Sequence, residues 1–407
     1  MDKPKIRFKG YTEVWEQRKF GDLGSVSMCK RIFKEQTLTE GEIPFYKIGT
    51  FGGEADAFIT RKLYEEYKEK FQYTEIGDIL ISASGTIGRT VEYTGEDAYF
   101  QDSNIVWFKH DERVDNLFLK CLFSVVKWSG IEGSTIKRLY NDNFLKTEFL
   151  IPSVEEQKKI GDYFDHLDHL ITLHKSKCEG VKKLKKYMLQ NMFPRNGSNI
   201  PKIRFDGFTD AWEQRKLGDY CDMFNGDRSS KYPNAADMVS DGIPFINAGD
   251  LENGTVNLMT CNRISREKYN DLGGAKLQRG DIVYCLRGTL GKNAFIGNFD
   301  EGTVASSLVA LRPKNIDGKY LYFILNSDIE YRQRIVRDEG AAQPNLSAKS
   351  VSEYIIPVPS RAEQQHISAY FSTLDHLITL HQQKYDKYAQ IKKAMISELK
   401  TGKIKLV

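Results

Sequence analysis

The sequence E-E-Q-K-K-I-G-D-Y-F-D-H-L-D-H-L-I-T-L-H-K, from Glu155 to Lys175, decides how the rest of the chain is organised. A second copy, A-E-Q-Q-H-I-S-A-Y-F-S-T-L-D-H-L-I-T-L-H-Q, runs from Ala362 to Gln382. In both copies, apolar or weakly polar residues recur at alternating steps of four and three, the spacing of a narrow helical seam. The residues predicted to pack in these seams are Ile160, Phe164, Leu167, Ile171, His174, Ile367, Phe371, Leu374, Ile378 and His381.

Both seams continue towards Met188 and Met395, and Lys185 and Lys392 interrupt them in the same register. Two long helices with matching seams in one chain are predicted to pack against each other. The pair is either a simple core hairpin or a spacer between globular domains.

The chain is a tandem repeat with a period of about 200 residues, far longer than the repeats of solenoid proteins. The block P-K-I-R-F-K-G-Y-T-E-V-W-E-Q-R-K-F-G-D at Pro4–Asp22 returns, with a few changes, at Pro201–Asp219. A second block, G-D-I-L-I-S-A-S-G-T-I-G-R at Gly77–Arg89, returns at Gly280–Lys292. Each copy is therefore predicted to be a globular domain followed by a long helix.

The predicted fold class is α+β. Short apolar runs bounded by turn residues predict strands at Ile43–Ile48, Ile79–Ala83, Ile105–Phe108, Ile282–Leu286 and Leu308–Leu311, and longer runs predict helices at Asn116–Val126 and Gly318–Leu325. Pro194, Gly197 and Pro201 mark a linker between the copies. The predicted boundaries are a first domain at 1–154, a helix at 155–193, a linker at 194–200, a second domain at 201–361 and a C-terminal helix at 362–407.

Composition limits the classes of function. The 407 residues carry a formal net charge of only +4, so any nucleic acid must be met by local basic patches. Six scattered cysteines without C-x-x-C pairs argue against a zinc site or a disulfide framework. There is no apolar leader and no run of eighteen apolar residues, so a cytoplasmic, reduced protein without a membrane partner is expected.

Catalytic signatures are missing from the sequence. Neither a P-loop nor a strand followed by G-x-G-x-x-G is present, so no nucleotide or methyl-donor pocket is predicted. His166, His169 and His174 do not share one helix face, and only two of these histidines return in the second copy. The nuclease-like E-x-K at Glu66–Lys68 lacks a paired acidic residue and is attributed to chance.

Two glycine turns, G-T-I-G-R and G-T-L-G-K, each follow a buried strand and end on a cation. Successive amides in such a turn can hold a phosphate while the cation neutralises it. The alternative is an ordinary tight turn with a solvated cation. The candidate residues are Gly85, Thr86, Gly88 and Arg89 in the first copy and Arg287, Gly288, Thr289, Gly291 and Lys292 in the second.

The segments that differ between the copies should carry whatever differs between two recognition events. The differences concentrate at 25–41 against 222–241, at 50–75 against 250–278, and at 134–138 against 341–345. Arg, Lys, Asn and Gln side chains read base edges and phosphates, although solvated loops carry the same residues. The candidates are Lys30, Arg31, Lys34, Arg61, Lys62, Lys137, Arg138, Arg228, Lys231, Arg263, Arg266, Gln343 and Asn345.

At the shared W-E-Q-R-K-[FL]-G-D block, the G-D-I…G-T-[IL]-G-[RK] block and the I-P-x-x-x-E-Q-x-x-I helix start, the chain resembles the specificity subunit of Type I restriction–modification enzymes. The resemblance covers essentially the whole chain. It implies two target-recognition domains that each read half of a bipartite sequence in double-stranded DNA, and two helices packed antiparallel as a spacer. It also implies docking of two methyltransferase subunits, which use S-adenosylmethionine, and of restriction subunits, which use ATP and Mg²⁺. The specificity subunit of this family has no catalysis and no cofactor of its own.

Helix geometry agrees with a spacer, since about 35 helical residues extend for roughly 50 Å, more than one DNA turn. A lysine-rich stretch on the first helix then faces the DNA gap, an acidic methyltransferase surface or solvent. Two rival hypotheses remain open from the sequence: a stand-alone DNA-binding regulator with two recognition domains, and a nuclease with unrecognised chemistry.

Overall fold

The computed structural model describes residues 7–134, 136–195, 198–338 and 344–400. They divide into two compact units, Met1–Lys175 with Gln382–Val407, and Ser176–His381. Each unit therefore combines one globular domain with half of each long helix. Among the described residues, no helix is both long enough and apolar enough to cross a membrane.

The secondary structure of the first copy lies between residues 16 and 191. Its elements are β1 (Glu16–Lys19), β2 (Gly24–Ser27), β3 (Ile43–Tyr46), β4 (Phe58–Ile59), α1 (Arg61–Lys70), β5 (Ile79–Ser82), β6 (Thr90–Glu92), β7 (Tyr99–Phe100), β8 (Ile105–His110), α2 (Asn116–Val125), α3 (Asn141–Lys146), β9 (Glu148–Ile151) and the long helix α4 (Val154–Asn191).

The second copy repeats this order with additions. Its elements are β10 (Glu213–Lys216), β11 (Cys221–Asn225), β12 (Met238–Ile246), β13 (Leu251–Glu252), β14 (Thr255–Val256), β15 (Asn262–Ile264), α5 (Arg266–Asp271), β16 (Ile282–Cys285), β17 (Asn293–Phe295), β18 (Thr303–Val304), β19 (Leu308–Pro313), α6 (Gly318–Ile324), α7 (Asp328–Arg337), α8 (Ala348–Ser352), β20 (Ile355–Val358) and the long helix α9 (Arg361–Lys400).

Each domain is built on one four-stranded antiparallel sheet, β2-β8-β5-β6 in the first and β11-β19-β16-β17 in the second. A smaller sheet lies beside it, in which β3 pairs antiparallel with β4 and parallel with β7, and β12 pairs likewise with β15 and β18. The predicted α+β class and the predicted strands are confirmed.

Both faces of the four-stranded sheets are buried, which explains why the central strands are largely apolar. On β5, Ile79 and Ile81 belong to one core while Leu80 between them belongs to another. On β16, Ile282 and Tyr284 alternate in the same way with Val283 and Cys285. This is the two-residue period of a strand covered on both sides.

The repeated sequence blocks meet in space. The E-Q-R-K strands β1 and β10 pair antiparallel with β9 and β20, the strands that precede the long helices. The Arg7 guanidinium forms a bidentate ion pair with the buried Glu156 carboxylate, with N···O distances of 2.7 and 2.6 Å. Arg204 holds the buried Glu363 in the same way, at 2.7 and 2.8 Å. These blocks therefore fix the start of each long helix to its own domain.

The long helices run antiparallel within each unit. In the first unit, Asp168 on α4 pairs with Lys392 on α9, and the His174 ring stacks on Tyr388 with 5.7 Å between centroids. In the second unit, Lys185 on α4 lies 2.5 Å from Asp375 on α9. Residue numbers rise along α4 as those of its contacts on α9 fall, so the antiparallel arrangement expected from the family resemblance is confirmed.

The predicted seam residues face inwards in both units. Ile160, Phe164, Leu167 and His174 are buried and Ile171 is half-buried; Ile367, Phe371 and Leu374 are buried, and Ile378 and His381 are half-buried. Phe164 belongs to the core of the first domain, and Phe371 belongs to that of the second. The seam therefore serves partly to attach each helix to a globular domain.

Candidate nucleic-acid interface

The candidate interface forms where the central strand of each four-stranded sheet ends. Beyond β5, the backbone N–H of Ala83 donates to Asn104 at 2.8 Å, and its carbonyl accepts from Leu139 at 2.8 Å. Two residues further, the Gly85 N–H donates to the Lys137 carbonyl at 2.9 Å. The glycine turn, the loop after β7 and the segment around Lys137 therefore meet at one edge.

The second domain repeats this arrangement. The Leu286 N–H donates to Ser307 at 2.9 Å, and its carbonyl accepts from Leu346 at 2.9 Å. The Arg287 Nε donates to the Asn345 side-chain oxygen at 3.2 Å. The third divergent segment, represented by Lys137 and Asn345, is thus brought beside the shared glycine turn in both copies.

The glycines are required by the shape of the turn. Gly85 and Gly88 have φ of +68° and +91°, and Gly288 and Gly291 have +77° and +79°, a region that other residues rarely adopt. The second glycine also leaves space, because a Cβ on Gly291 would lie 2.6 Å from Arg334 Nε. A Cβ on Gly88 would lie 3.4 Å from the Trp128 indole nitrogen.

Most amides of the glycine turns are bonded within the protein, which leaves few of them for the predicted phosphate cradle. The N–H groups of Gly85, Ile87 and Gly88 donate to Lys137, Gly85 and Ser82, and that of Arg89 donates to the Ser82 hydroxyl. The corresponding amides of the second turn are bonded in the same internal way, although Lys292 uses the Thr289 carbonyl. A nucleic acid would therefore be met here by exposed side chains.

The cations that end the turns are held in place by their neighbours. Arg89 Nη2 donates to the Ile48 carbonyl at 2.7 Å, and its guanidinium lies 5.5 Å from the centre of the Phe51 ring. Lys292 Nζ donates to the Ala248 carbonyl at 2.9 Å. Each cation thus connects its glycine turn to the loop after β3 or β12.

Two arginines of the first divergent window reach the same edge. Arg31 forms an ion pair at 2.8 Å with Asp102, which follows β7. Arg228 donates to the Ser306 carbonyl at 3.2 Å, at the same place after β18. Ser103 beside Asp102 has a left-handed φ of +52°. This loop is not among the candidates predicted from the sequence, although Q-D-S-N at 101–104 against A-S-S at 305–307 is a visible difference between the copies.

Other predicted residues lie at the opposite ends of β7 and β18. Arg61 on α1 pairs at 2.9 Å with Asp97, which precedes β7, and this contact lowers the pKa of the Asp97 carboxyl. Arg266 on α5 pairs with Glu301 at 2.7 Å and lowers its pKa in the same way. The structure therefore separates these cations from the glycine turns.

The remaining candidates are dispersed. Lys30 lies over the Phe71 ring at 5.2 Å, Lys231 pairs with Asp271 at 2.5 Å, and Arg263 donates to the Gly242 carbonyl at 2.9 Å. Lys34, Lys62, Lys137 and Arg138 are exposed. Gln343 lies outside the described residues. Within the described part of the chain, no group of His, Cys, Asp and Glu side chains is arranged to hold a metal ion.

A family model for the Type I restriction modification DNA specificity domain matches the chain twice, at residues 12–183 and 209–390. The two matches cover most of both copies of the repeat. The chain therefore belongs to this family.

Individual relatives agree with this assignment. A Haemophilus influenzae protein assigned as the type I restriction enzyme specificity subunit S.HindORF215P is 54% identical over 162 residues, which span 40% of this chain and 41% of that protein. The type I restriction enzyme MjaVIII specificity subunit of Methanocaldococcus jannaschii is 23% identical over 343 residues, 81% of this chain and 79% of its own length.

The fold is also found in a solved structure. The S subunit of a Type I restriction-modification system from M. genitalium superposes with a TM-score of 0.63 at 16% identity, and 98% of each chain is covered. At this identity the likeness concerns the fold alone.

Proposed function

We propose that this chain is the DNA specificity subunit of a Type I restriction–modification complex and that each domain recognises one half of a bipartite target. The observation that carries this proposal is that equivalent backbone hydrogen bonds form the edge beside the glycine turn in both domains. Lys137 and Arg138 lie at this edge in the first domain, and Asn345 lies there in the second. The same backbone arrangement with different side chains is what reading two different half-sites requires.

The side chains at each edge suit the two tasks of DNA binding. Arg89, Lys137 and Arg138 are exposed cations beside the first turn, and cations provide the phosphate contacts that position a protein on DNA. Arginine also pairs with guanine edges, and asparagine with adenine edges. Arg138 and Asn345 are therefore our candidates for base contacts in the two half-sites.

The duplicated scaffold offers two equivalent places for the same partner, so the proposed assembly contains two methyltransferase subunits and, through them, restriction subunits. The methyltransferase supplies S-adenosylmethionine chemistry, and the restriction subunit uses ATP and Mg²⁺. This chain acts without catalysis or a cofactor of its own. The E-x-K at Glu66–Lys68 does not favour a nuclease, since Glu66 pairs with Lys70 at 3.0 Å on the surface of α1.

The direct test is methylome sequencing of cells that carry this chain with its methyltransferase subunits. We expect one methylated motif with two defined halves and a fixed gap, and co-purification of the methyltransferase with this chain. Tight binding of the isolated chain to a single ungapped site would instead support a stand-alone regulator. Metal-dependent cleavage of DNA by the isolated chain would support a nuclease.

Exchange of segments tests the assignment of half-sites to domains. We expect that replacing residues 25–75 with those of another family member alters one half-site and leaves the other intact. Because the segment around Lys137 shares the same edge, exchanging residues 132–138 as well should complete the change. The matched exchange of residues 222–278 should alter the opposite half-site, and a change of both halves by either exchange would contradict the assignment. Methylome sequencing measures each result.

A further inference from the structure

Helix α7 distinguishes the second domain from the first. It spans Asp328–Arg337 and follows α6 closely. In the first domain the described residues between α2 and α3 contain no helix, and the half-buried Trp128 lies at the corresponding place. The second domain therefore has a helix at a position where the described residues of the first domain form a loop.

This helix is built onto the second glycine turn. Its Glu330 carboxylate is buried, accepts from the Tyr284 hydroxyl at 2.5 Å, and accepts from Arg334 at 2.9 Å. Gly291 is adjacent to both, because a Cβ there would lie 2.6 Å from Arg334 Nε and 2.8 Å from the Glu330 carboxylate. The position of α7 is thus fixed to the candidate interface.

A second contact ties the end of α7 to the same edge. The Asp338 carboxylate, directly after the helix, accepts from the Asn345 N–H at 2.9 Å. The Asn345 side chain in turn accepts from Arg287 on the turn. Both ends of the helix are therefore continuous with the edge proposed to read the second half-site.

The outward face of α7 carries exposed apolar side chains together with one ion pair. Tyr331, Ile335 and Val336 are 53, 55 and 81% exposed, and Asp328 and Arg332, which pair at 3.9 Å, lie between Ile335 and Val336 around the helix. The Arg334 guanidinium lies over the Tyr331 ring at 5.2 Å. Exposed apolar residues clustered on one short helix mark an interaction surface more often than scattered ones do.

We infer that this outward face of α7 contacts double-stranded DNA at the second half-site. The inference rests on the proposed function and adds an element to it. The helix carries three arginines, and Arg332 and Arg334 pair with its two acidic residues, so a net positive charge remains, which favours a polyanion. A helix fits the major groove, and apolar side chains there contact thymine methyl groups. The second domain thus reads its half-site with a helix face that has no counterpart in the described part of the first domain.

The test uses the complex of this chain with its methyltransferase subunits and a duplex carrying its methylated motif. Tyr331→Ser and the double variant Ile335→Ser, Val336→Ser remove the exposed apolar side chains of this face without disturbing buried residues. Ile200→Ser is the matched control, since Ile200 is 52% exposed and lies in the segment before the second domain. Thermal unfolding of each variant verifies that the fold is kept.

We expect the double variant to bind the cognate duplex about tenfold more weakly, since two apolar side chains lose their contacts. It should also discriminate less against duplexes altered in the second half-site, with discrimination at the first half-site and the control unchanged. Unchanged affinity would overturn the inference. So would loss of methyltransferase from the complex with intact discrimination, because the face would then dock protein. A wild-type complex without any bipartite motif would overturn the proposed function itself.

Discussion

At the scale of single residues, Lys292 holds the loop after β12 against the glycine turn and is proposed to contact a DNA phosphate, two roles that a salt titration separates. Its ammonium donates to the Ala248 carbonyl and lies at the edge of the candidate interface. For Lys292→Gln we expect weaker DNA binding by the assembled complex and a decrease of about 1 in the slope of log affinity against log salt, because one phosphate contact is lost. Lys202→Gln, an exposed lysine elsewhere in the second domain, is the control.

A weaker complex with an unchanged salt slope would contradict the phosphate contact. It would leave Lys292 only the task of holding the loop after β12 against the glycine turn.

The buried ion pair between Arg204 and Glu363 is predicted to support the second domain. The Glu363 side chain is 1% exposed and that of Arg204 is 12% exposed, so removing the carboxylate leaves a desolvated guanidinium. We expect Glu363→Leu to lower the free energy of unfolding by about 3 kcal/mol. Urea denaturation of the full chain measures the change.

Glu213→Leu provides the control for this variant. Glu213 also pairs with an arginine, Arg215, at 2.8 Å, but both side chains are mostly exposed. Surface pairs of this kind contribute little, so almost no change is expected. Equal changes in the free energy of unfolding for the two substitutions would show that the buried pair stabilises the chain no more than the surface pair does.

At the scale of elements, the two long helices share a repeated ion pair. Lys185 meets Asp375 in the second unit, and Lys392 meets Asp168 in the first; the lysines occupy equivalent places in the repeat, and so do the aspartates. The lysines that seemed from the sequence to interrupt the seam therefore have dedicated partners. Lys185 also lies 5.5 Å from the centre of the Phe323 ring, which belongs to the core of the second domain.

Charge exchange tests whether these pairs specify the helix register. We expect Lys185→Asp and Asp375→Lys each to destabilise the chain by about 1–2 kcal/mol, since like charges then face each other at a half-buried site. The double exchange should recover most of the loss, and Lys182→Asp, at an exposed position, should change little. Urea denaturation measures all four variants, and additive effects without recovery would exclude a direct interaction.

The strands and helices that could be predicted from the sequence are those whose burial is regular. β5 and β16 are apolar because both of their faces are covered, and α2 and α6 carry apolar faces behind an aspartate cap. β1 and β10 could not be predicted, because all their residues are exposed and they exist through backbone pairing with strands far along the chain.

The candidate interface was predictable only in part for a similar reason. The repeated glycines indicated the turns, whose left-handed backbone is a local property. Long-range backbone pairing decides which amides remain available and which divergent segment lies beside each turn. Arg61 and Arg266 belonged to a divergent window, yet they cap strand β7 or β18 at the end away from the turns. Helix α7, whose outward face carries exposed apolar side chains, had no counterpart among the described residues of the first copy to align with.

At the scale of the whole molecule, spatial units and sequence segments do not coincide. α4 passes from the first unit to the second between Lys175 and Ser176, and α9 passes back between His381 and Gln382. The two ion pairs of the helices are equally far apart in sequence on α4 and on α9. Lengthening one helix alone would therefore prevent the two pairs from forming at the same time.

A heptad inserted at both crossing points, after Lys175 and after His381, should keep both pairs. Seven helical residues extend for roughly 10 Å, so under the proposed function we expect the unread gap of the DNA target to lengthen by about three base pairs. Both half-sites should stay the same. Methylome sequencing reads the motif, and a double insertion with an unchanged gap would contradict a spacer role for the helices.

The order of synthesis gives the discontinuous first unit a further consequence. Met395 on α9 is buried in the core of the first domain, and Tyr388, Ile391 and Ile396 pack against that core. These residues leave the ribosome after the whole of the second unit, whose residues are contiguous. The domain that is translated first is thus completed last, and a nascent chain interrupted before α9 leaves it with an open core for chaperones or proteases to recognise.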